Sequence, residues 1–214
     1  MKSSEFGGIL VAIIILTAIT SLAPIINYQF GKIPMIFLFS VIIIMVSILS
    51  KKIIANLLDS DVEHEIWQIQ RYAFYPQSQF KNPIPAGIIF PIIFSVISLG
   101  TLKFFALLTY ETRALKYRAA KRFGYYSFTE MTDWHNGLIG AVGIFCILIL
   151  AIISYFLPIA ELEYLAKMSI YYAFWNLLPI SKLDGAQIFF GSRILWTILA
   201  TITAILTFFA VIVI

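Results

Sequence analysis

A short stretch in the C-terminal part of the chain combines an amide, a proline, a carboxylate and a glycine inside an otherwise apolar run. It reads Asn176-Leu177-Leu178-Pro179-Ile180-Ser181-Lys182-Leu183-Asp184-Gly185. An aspartate at membrane depth is costly, about 2.5–3.5 kcal/mol on insertion scales, so such a residue usually faces a partner or a cavity. We therefore expect Asp184 to mark a functional site.

The pattern Asn-x-x-Pro-x-x-x-Leu-Asp-Gly resembles the second metal-site motif of the site-2 protease family, which are intramembrane zinc metalloproteases. The resemblance covers about residues 40–196. In that family the aspartate of the Leu-Asp-Gly motif is the third zinc ligand, and the resemblance gives this position to Asp184, followed by Gly185. It also implies that Asn176 and Pro179 shape a cleft that receives a strand of substrate.

The rest of the family's zinc site has no match in this chain. A hydrolytic zinc site takes three protein ligands and a water, with a carboxylate as base, and a His-Glu-x-x-His helix supplies two ligands and the base. The window corresponding to the family's His-Glu-x-x-His-Lys-x-x-Ala pattern has matching Lys52 and Ala55, but its ligand positions are Ser47 and Lys51 and its base position is Ile48. A serine is a poor ligand, an ammonium repels zinc, and isoleucine cannot move a proton. The sequence therefore predicts neither a catalytic residue nor a zinc cofactor.

The two histidines leave an active enzyme open as an alternative. A protease that cleaves membrane-spanning substrates would need His64, His135 and Asp184 as zinc ligands and Glu65 as base. The polar segment that carries His64 would then have to fold back into the bilayer. The simpler interpretations are a solvated acidic face for His64 and a cap or interfacial position for His135.

Simpler roles also exist for the residues of the C-terminal motif. Asp184 can cap a helix break or pair with Lys182 or Arg193 at the cytoplasmic interface. Asn176 can satisfy the carbonyls that Pro179 frees in a kinked helix. These interpretations need no metal.

A weaker match to a third family patch, an Ala-Gly-Pro near the start of a core helix, lies at residues 142–144. Only Gly143 remains of that pattern. Cys146, the single cysteine, can form neither an internal disulfide nor a cysteine-based zinc site, so we expect a structural thiol.

The composition places the chain in a membrane. Hydrophobic residues make up 61% of its 214 residues and charged residues 12%, against about 45–50% and 25% in a soluble domain. The net charge of +4 suits an anionic membrane surface better than nucleic acid. We predict an all-α, multi-pass helical bundle forming one domain over residues 1–214, with Lys51 and Lys52 anchoring the end of the second segment at the interface. Its five to six hydrophobic segments are Gly7–Ile26, Ile33–Leu49, Ile84–Leu108, Asn136–Leu157, Leu165–Ile180 and Arg193–Ile214.

The basic residues predict which loops face the cytoplasm. Segments 51–83 and 110–135 are both polar and basic, so both are expected inside together with the N-terminus. A single crossing by residues 84–108 would separate them. Because Pro91 and Gly100 interrupt that segment, we expect it to be broken or re-entrant.

Three functions are consistent with these residues. The first is a catalytically inactive pseudoprotease, similar to site-2 proteases, that keeps the cleft and binds a transmembrane partner. The second is the active zinc metalloprotease described above, and the third is a structural or assembly subunit of a membrane complex. The Ile- and Lys-rich usage is typical of archaeal or thermophilic proteins.

Overall fold

The computed structural model describes residues 3–71, 79–115 and 131–212. Most of the predicted basic loop, residues 116–130, lies outside this part of the chain. A single 3-10 turn, Phe30–Lys32, precedes the second helix. The helices and strands are, in order, α1 (Ser3–Ile26), α2 (Ile33–Leu57), β1 (Ser60–Ile66), β2 (Ile69–Arg71), β3 (Gln79–Ile84), α3 (Ala86–Ile97), β4 (Leu108–Ala114), α4 (Asp133–Phe156), α5 (Ala160–Asn176), α6 (Asp184–Gly191) and α7 (Arg193–Ile212).

Four helices of the described chain are long and apolar enough to cross a membrane, namely α1, α2 with its preceding turn, α4 and α7. Large apolar side chains stay exposed along them, such as Ile194, Ile205 and Phe208 of α7. Exposed apolar surface of this extent is typical of contact with lipid. Of the five to six predicted hydrophobic segments, four are therefore helices of membrane length. The α5 helix has 17 residues with Glu161 and Glu163 in its first turn, and α3 has only 12.

The prediction of an all-α fold is wrong in the polar segment. Strands β1 and β4 form one antiparallel pair, and β2 and β3 form another. In β1 the side chains of Ser60, Val62 and His64 are buried, while those of the alternate residues Asp61 and Glu65 are exposed. This period of two is the pattern of a half-buried strand.

Residues 84–108 form a hairpin rather than a straight helix. The Gly87 N–H donates to the Trp67 carbonyl, and the Trp67 N–H donates to the Leu107 carbonyl, both at 2.9 Å. The segment thus returns to the place where it began. At its far end, Gly100 adopts a φ of 80° and packs against Ala23 near the end of α1. The broken backbone agrees with the interruptions seen in the sequence.

The α4 helix lies at the centre of the bundle and packs against α2, α5 and α6. Its glycines at every third position let neighbouring groups approach closely. A Cβ at Gly137 would meet the α6 backbone, one at Gly140 would meet the Tyr110 hydroxyl, and one at Gly143 would meet the Lys51 side chain. Small residues serve this purpose in membrane helices because close packing, rather than the hydrophobic effect, holds such helices together. The glycine face of α4 therefore brings α6, Tyr110 and Lys51 close together, and these groups form the candidate functional site.

Candidate functional site

A buried ion pair joins the two sequence windows that carry the motifs. The Lys51 Nζ atom of α2 lies 2.5 Å from the Asp184 Oδ2 atom of α6. The two side chains are only 2% and 1% exposed. Lys51 was expected to be an interfacial anchor, and the structure instead points it into the bundle. The α2 helix continues to Leu57, so Lys51 lies within the helix and not at its end. From this position its long side chain reaches the carboxylate.

The local fold at the C-terminal motif aims Asp184 inward. The α5 helix ends at Asn176, and α6 begins at Asp184 after a turn in which Ser181 has a φ of 53°. A Cβ on Gly185 would collide with the Leu177 carbonyl, so only glycine lets α6 start this close to the end of α5. The Trp196 indole N–H also donates to the Leu177 carbonyl at 3.0 Å.

The Lys51 ammonium group is held by more than the carboxylate. Its aliphatic stem lies over Gly143, where a Cβ would come within 2.5 Å of the lysine Cε. Its Nζ lies 4.8 Å from the centroid of the Tyr110 ring, a cation–π distance. The Tyr110 hydroxyl donates to the Asn136 carbonyl at 2.6 Å. Burial, and then the Asp184 charge, raises the pKa of Tyr110 well above its usual value, so its hydroxyl stays neutral.

Asn176 connects the hairpin to this site. Its Nδ2 donates to the Tyr172 carbonyl at 2.8 Å and to the Phe105 carbonyl on the returning strand-like segment at 3.2 Å. The helix therefore ends at Asn176 and does not continue through a kink at Pro179, as one interpretation proposed. Asn176 satisfies a carbonyl of the last turn and fixes the hairpin beside α5.

The other two positions of the α2 window that was compared with a zinc-binding helix serve packing. The Ser47 side chain is buried and hydrogen-bonds to Tyr172 of α5. Ile48 belongs to the main hydrophobic core. Neither offers a group that can bind a cation or move a proton.

A second charged cluster lies beside the first and joins α1, α2 and β1. The Glu5 Oε1 atom lies 2.6 Å from the Lys52 Nζ and 3.5 Å from the His64 Nδ1. His64 is 1% exposed, so the expectation of a solvated acidic face is wrong. Burial, followed by the charges of Lys51 and Lys52, lowers the pKa of His64 to about 2. The imidazole is therefore neutral, although the Glu5 carboxylate lies near it. That carboxylate is also paired with Lys52.

The remaining candidates lie elsewhere. His135 is in the first turn of α4, where its backbone N–H donates to the Thr132 side chain, which caps the helix, and its ring contacts the same hydroxyl. Glu65 is exposed on β1. Lys182 pairs with Glu111 at 2.9 Å on the surface.

Neither of the expected partners of Asp184 therefore reaches it. The Lys182 ammonium is occupied by its surface pair, and the Arg193 guanidinium lies over the Phe189 ring at 5.7 Å.

The residues around Asp184 do not fit zinc. Within residues 3–71, 79–115 and 131–212, no group of three His, Cys, Asp or Glu side chains could hold a metal ion. The set His64, His135 and Asp184 is therefore not brought together. The neighbours of Asp184 are an ammonium, which cannot be a ligand in its charged form, and the neutral phenol of Tyr110. A lysine cation thus lies where the resemblance would place a zinc ion.

A cavity of about 530 Å³ opens next to this ion pair. It runs along the edge of β4 that faces away from β1, and no other strand covers that edge in the described part of the chain. The Tyr110 carbonyl on this edge accepts from the Gln187 Nε2 at 2.9 Å. The other polar residues that line the cavity include Thr112, Asn136 and Ser181. An unpaired strand edge in a polar cleft can hydrogen-bond an extended peptide.

Sequence reasoning missed the pairing of Lys51 with Asp184, although it singled out both residues. The signal was present, because an aspartate inside an apolar bundle needs a cation and Lys51 is one of the few basic residues at the edge of a hydrophobic segment. It also missed Glu5 and Tyr110, whose roles depend on contacts between distant parts of the chain. Comparisons with family models, with curated proteins and with solved structures found no match for this chain.

Proposed function

We propose that this protein is a site-2 protease-like membrane protein that has lost its metal and its base, and that it binds a membrane-spanning partner without cleaving it. The observation that carries the proposal is the contact of Lys51 Nζ with Asp184 Oδ2 at 2.5 Å. The resemblance assigns these two positions to the second and third zinc ligands. Residues from two separate motif windows are thus in direct contact, which supports the resemblance.

The same contact supports a loss of the hydrolytic chemistry. An internal ammonium neutralises the carboxylate that would otherwise attract a divalent cation. The base position is the apolar Ile48, which packs in the core. Because Ser47, Ile48 and Lys51 supply neither a good zinc ligand nor a general base, this part of α2 offers no group that would activate water for peptide hydrolysis.

The binding part of the proposal depends on the cavity beside β4. A transmembrane helix that unwinds locally exposes backbone N–H and C=O groups, which need partners at membrane depth. The Tyr110 carbonyl and one Gln187 N–H are bonded to each other, so such partners come from the Thr112 part of the outer β4 edge and from the oxygen and second N–H of the Gln187 amide. Lys182 and Glu111 at the mouth of the cavity offer charges of both signs to the flanking residues. We infer that the partner is a membrane segment that becomes extended near one end.

Metal analysis with a restored site tests the proposal directly. The triple variant S47H/I48E/K51H rebuilds a His-Glu-x-x-His helix opposite Asp184. Purified wild-type protein should contain no stoichiometric zinc, whereas the triple variant should hold about one zinc per chain through the three-ligand geometry of catalytic sites. Adding Asp184→Ala to the triple variant should remove that zinc.

Stoichiometric zinc in the wild-type protein that disappears on Asp184→Ala would refute the proposal. The binding step is tested separately with a labelled membrane-spanning peptide and reconstituted protein. The peptide should bind and be recovered intact, and Gln187→Ala should weaken its binding. Recovery of cleaved peptide from the wild-type protein, but not from the Glu65→Gln variant, would favour the active alternative.

A further inference from the structure

A second cavity, of about 390 Å³ and lined in part by polar side chains, lies at the opposite end of the bundle from the ion pair. It is formed by the end of α1, the turn before α2, the first turns of α2 and α5, and the returning part of the hairpin. Along α2, Met35 at this cavity and Lys51 at the ion pair are separated by 16 residues, or about 24 Å of helix. This distance approaches the thickness of the hydrocarbon core, so the cavity lies near the other membrane interface. Its lining is Ala23, Pro24, Asn27, Gln29, Lys32, Met35, Ile36, Lys103, Glu161 and Tyr164.

The central polar group of this cavity is a partly buried lysine without an acidic partner. The Lys103 Nζ atom donates to the Tyr164 hydroxyl at 3.2 Å and lies 5.1 Å from the centroid of the same ring. Among the residues that the structure describes, no carboxylate lies within ion-pair distance of it. Buried ammonium groups usually have such a partner. The Tyr164 hydroxyl in turn donates to the Thr20 carbonyl at 3.3 Å, so it remains available to accept from the lysine.

The charges around Lys103 are mainly positive. Lys32 lines the same cavity, and Lys167 is close enough to repel Lys103. Burial, and then this repulsion, lowers the pKa of Lys103 to about 8, so it remains mostly protonated at neutral pH. The one acidic side chain in the lining is Glu161, which is exposed and therefore screened by solvent.

The backbone adds to this positive potential. The first turns of α2 and α5 both contribute to the lining, through Met35 and Ile36 and through Glu161 and Tyr164. Helix N-termini carry partial positive charge, which favours anions. The starts of α2 and α5 therefore add to the positive potential of Lys103 and Lys32.

We propose that this cavity binds a phosphate-bearing anion, with Lys103 and Lys32 as its cationic ligands. The place of the cavity near a membrane interface favours the phosphate of a phospholipid headgroup, and free inorganic phosphate shares the same chemistry. The inference does not rest on the proposed function, because the ion pair and the β4 edge lie at the other end of the bundle.

Lipid binding to the full chain tests this inference. The protein is placed in nanodiscs of neutral phosphatidylcholine, phosphatidylglycerol is titrated in, and bound lipid is counted by native mass spectrometry. Lys103→Gln should weaken phosphatidylglycerol binding by about tenfold, the loss of one charge-assisted hydrogen bond. Lys32→Gln should weaken it less, since that side chain is exposed. Lys81→Gln removes an exposed lysine of β3 that lines neither cavity and is the matched control, with no change expected.

Two further measurements make the result decisive. Inorganic phosphate that displaces the lipid and raises the melting temperature of wild-type protein, but not of Lys103→Gln, would identify free phosphate as the ligand. Lipid that resists displacement would identify the headgroup. Equal lipid and phosphate binding by the wild type and both variants would overturn the proposal. Because Lys32 is exposed, its variant keeps the test valid if Lys103→Gln fails to fold.

Discussion

The Lys51–Asp184 pair yields the sharpest prediction. Its two charges are 2.5 Å apart and both side chains are almost fully buried. At an effective dielectric constant near 20, their attraction amounts to roughly 7 kcal/mol, but desolvation costs several kcal/mol for each ion. The pair as a whole is therefore close to neutral for stability. Removing one partner is different, since it leaves the other charge buried without compensation.

A double-mutant cycle separates these two situations. Lys51→Met and Asp184→Asn should each lower the free energy of unfolding by about 3–5 kcal/mol, whereas the double variant should lie within about 2 kcal/mol of wild type. The coupling energy between the two sites is then about 4 kcal/mol or more. The measurement is reversible unfolding in mixed micelles, followed by circular dichroism as the denaturing detergent is raised.

The surface pair of Lys182 and Glu111 is the matched control. Its charges are 2.9 Å apart, but the side chains are 67% and 44% exposed. A cycle through Lys182→Met and Glu111→Gln should give a coupling of about 1 kcal/mol or less. If the buried pair shows no greater coupling than this surface pair, the reasoning about the cost of an uncompensated buried charge is wrong.

Two further predictions concern the surroundings of the site. Gly143→Ala should destabilise the protein by about 1–3 kcal/mol, because the new methyl group meets the Lys51 stem, and the same change should cost much less when it is made in a Lys51→Ala background. Gly7→Ala, where nothing lies within 4 Å, is the control and should be neutral or slightly stabilising; an equal loss in both would contradict the packing argument. His64 has a pKa of about 2 in the folded chain and 6.5 as its ordinary value, so the unfolded chain binds the extra proton first as the pH falls. Stability should therefore decrease below about pH 6.5, by up to about 1.4 kcal/mol per pH unit, and His64→Gln should flatten that part of an unfolding-against-pH profile; an unchanged slope would show that other groups cause it.

Parts of the fold follow directly from the sequence. Composition and apolar runs of about 20 residues predict the membrane-length helices, because only a helix satisfies its own backbone groups in lipid. Prolines and glycines within residues 84–108 predict a broken segment, and the structure has a hairpin there. The Asn176 to Gly185 motif predicts a residue that needs a partner, whereas the helix ends at Asn176 and not at Ile180 as the apolar run predicts. These conclusions depend on local properties of the chain.

The strands were harder to predict. The alternation in Ser60–Ile66 is visible in the sequence, but it lies among charges that also suit a solvated loop. Its partner Leu108–Ala114 begins inside what reads as a hydrophobic span. A strand of this kind is stable only when its partner is present, and that partner lies more than forty residues away.

The sequence by itself determined which residues could carry chemistry and that residues 47–51 contain no His-Glu-x-x-His pattern. It could not determine which side chain would lie against Asp184. Only the tertiary structure brings Lys51 against Asp184, 133 residues further along the chain. The physical reason is that burial of a charge is decided by every element around it, and here α2, α4, α6 and β4 together exclude water from the pair. A carboxylate in such surroundings requires a cation, and the fold supplies one from its own chain.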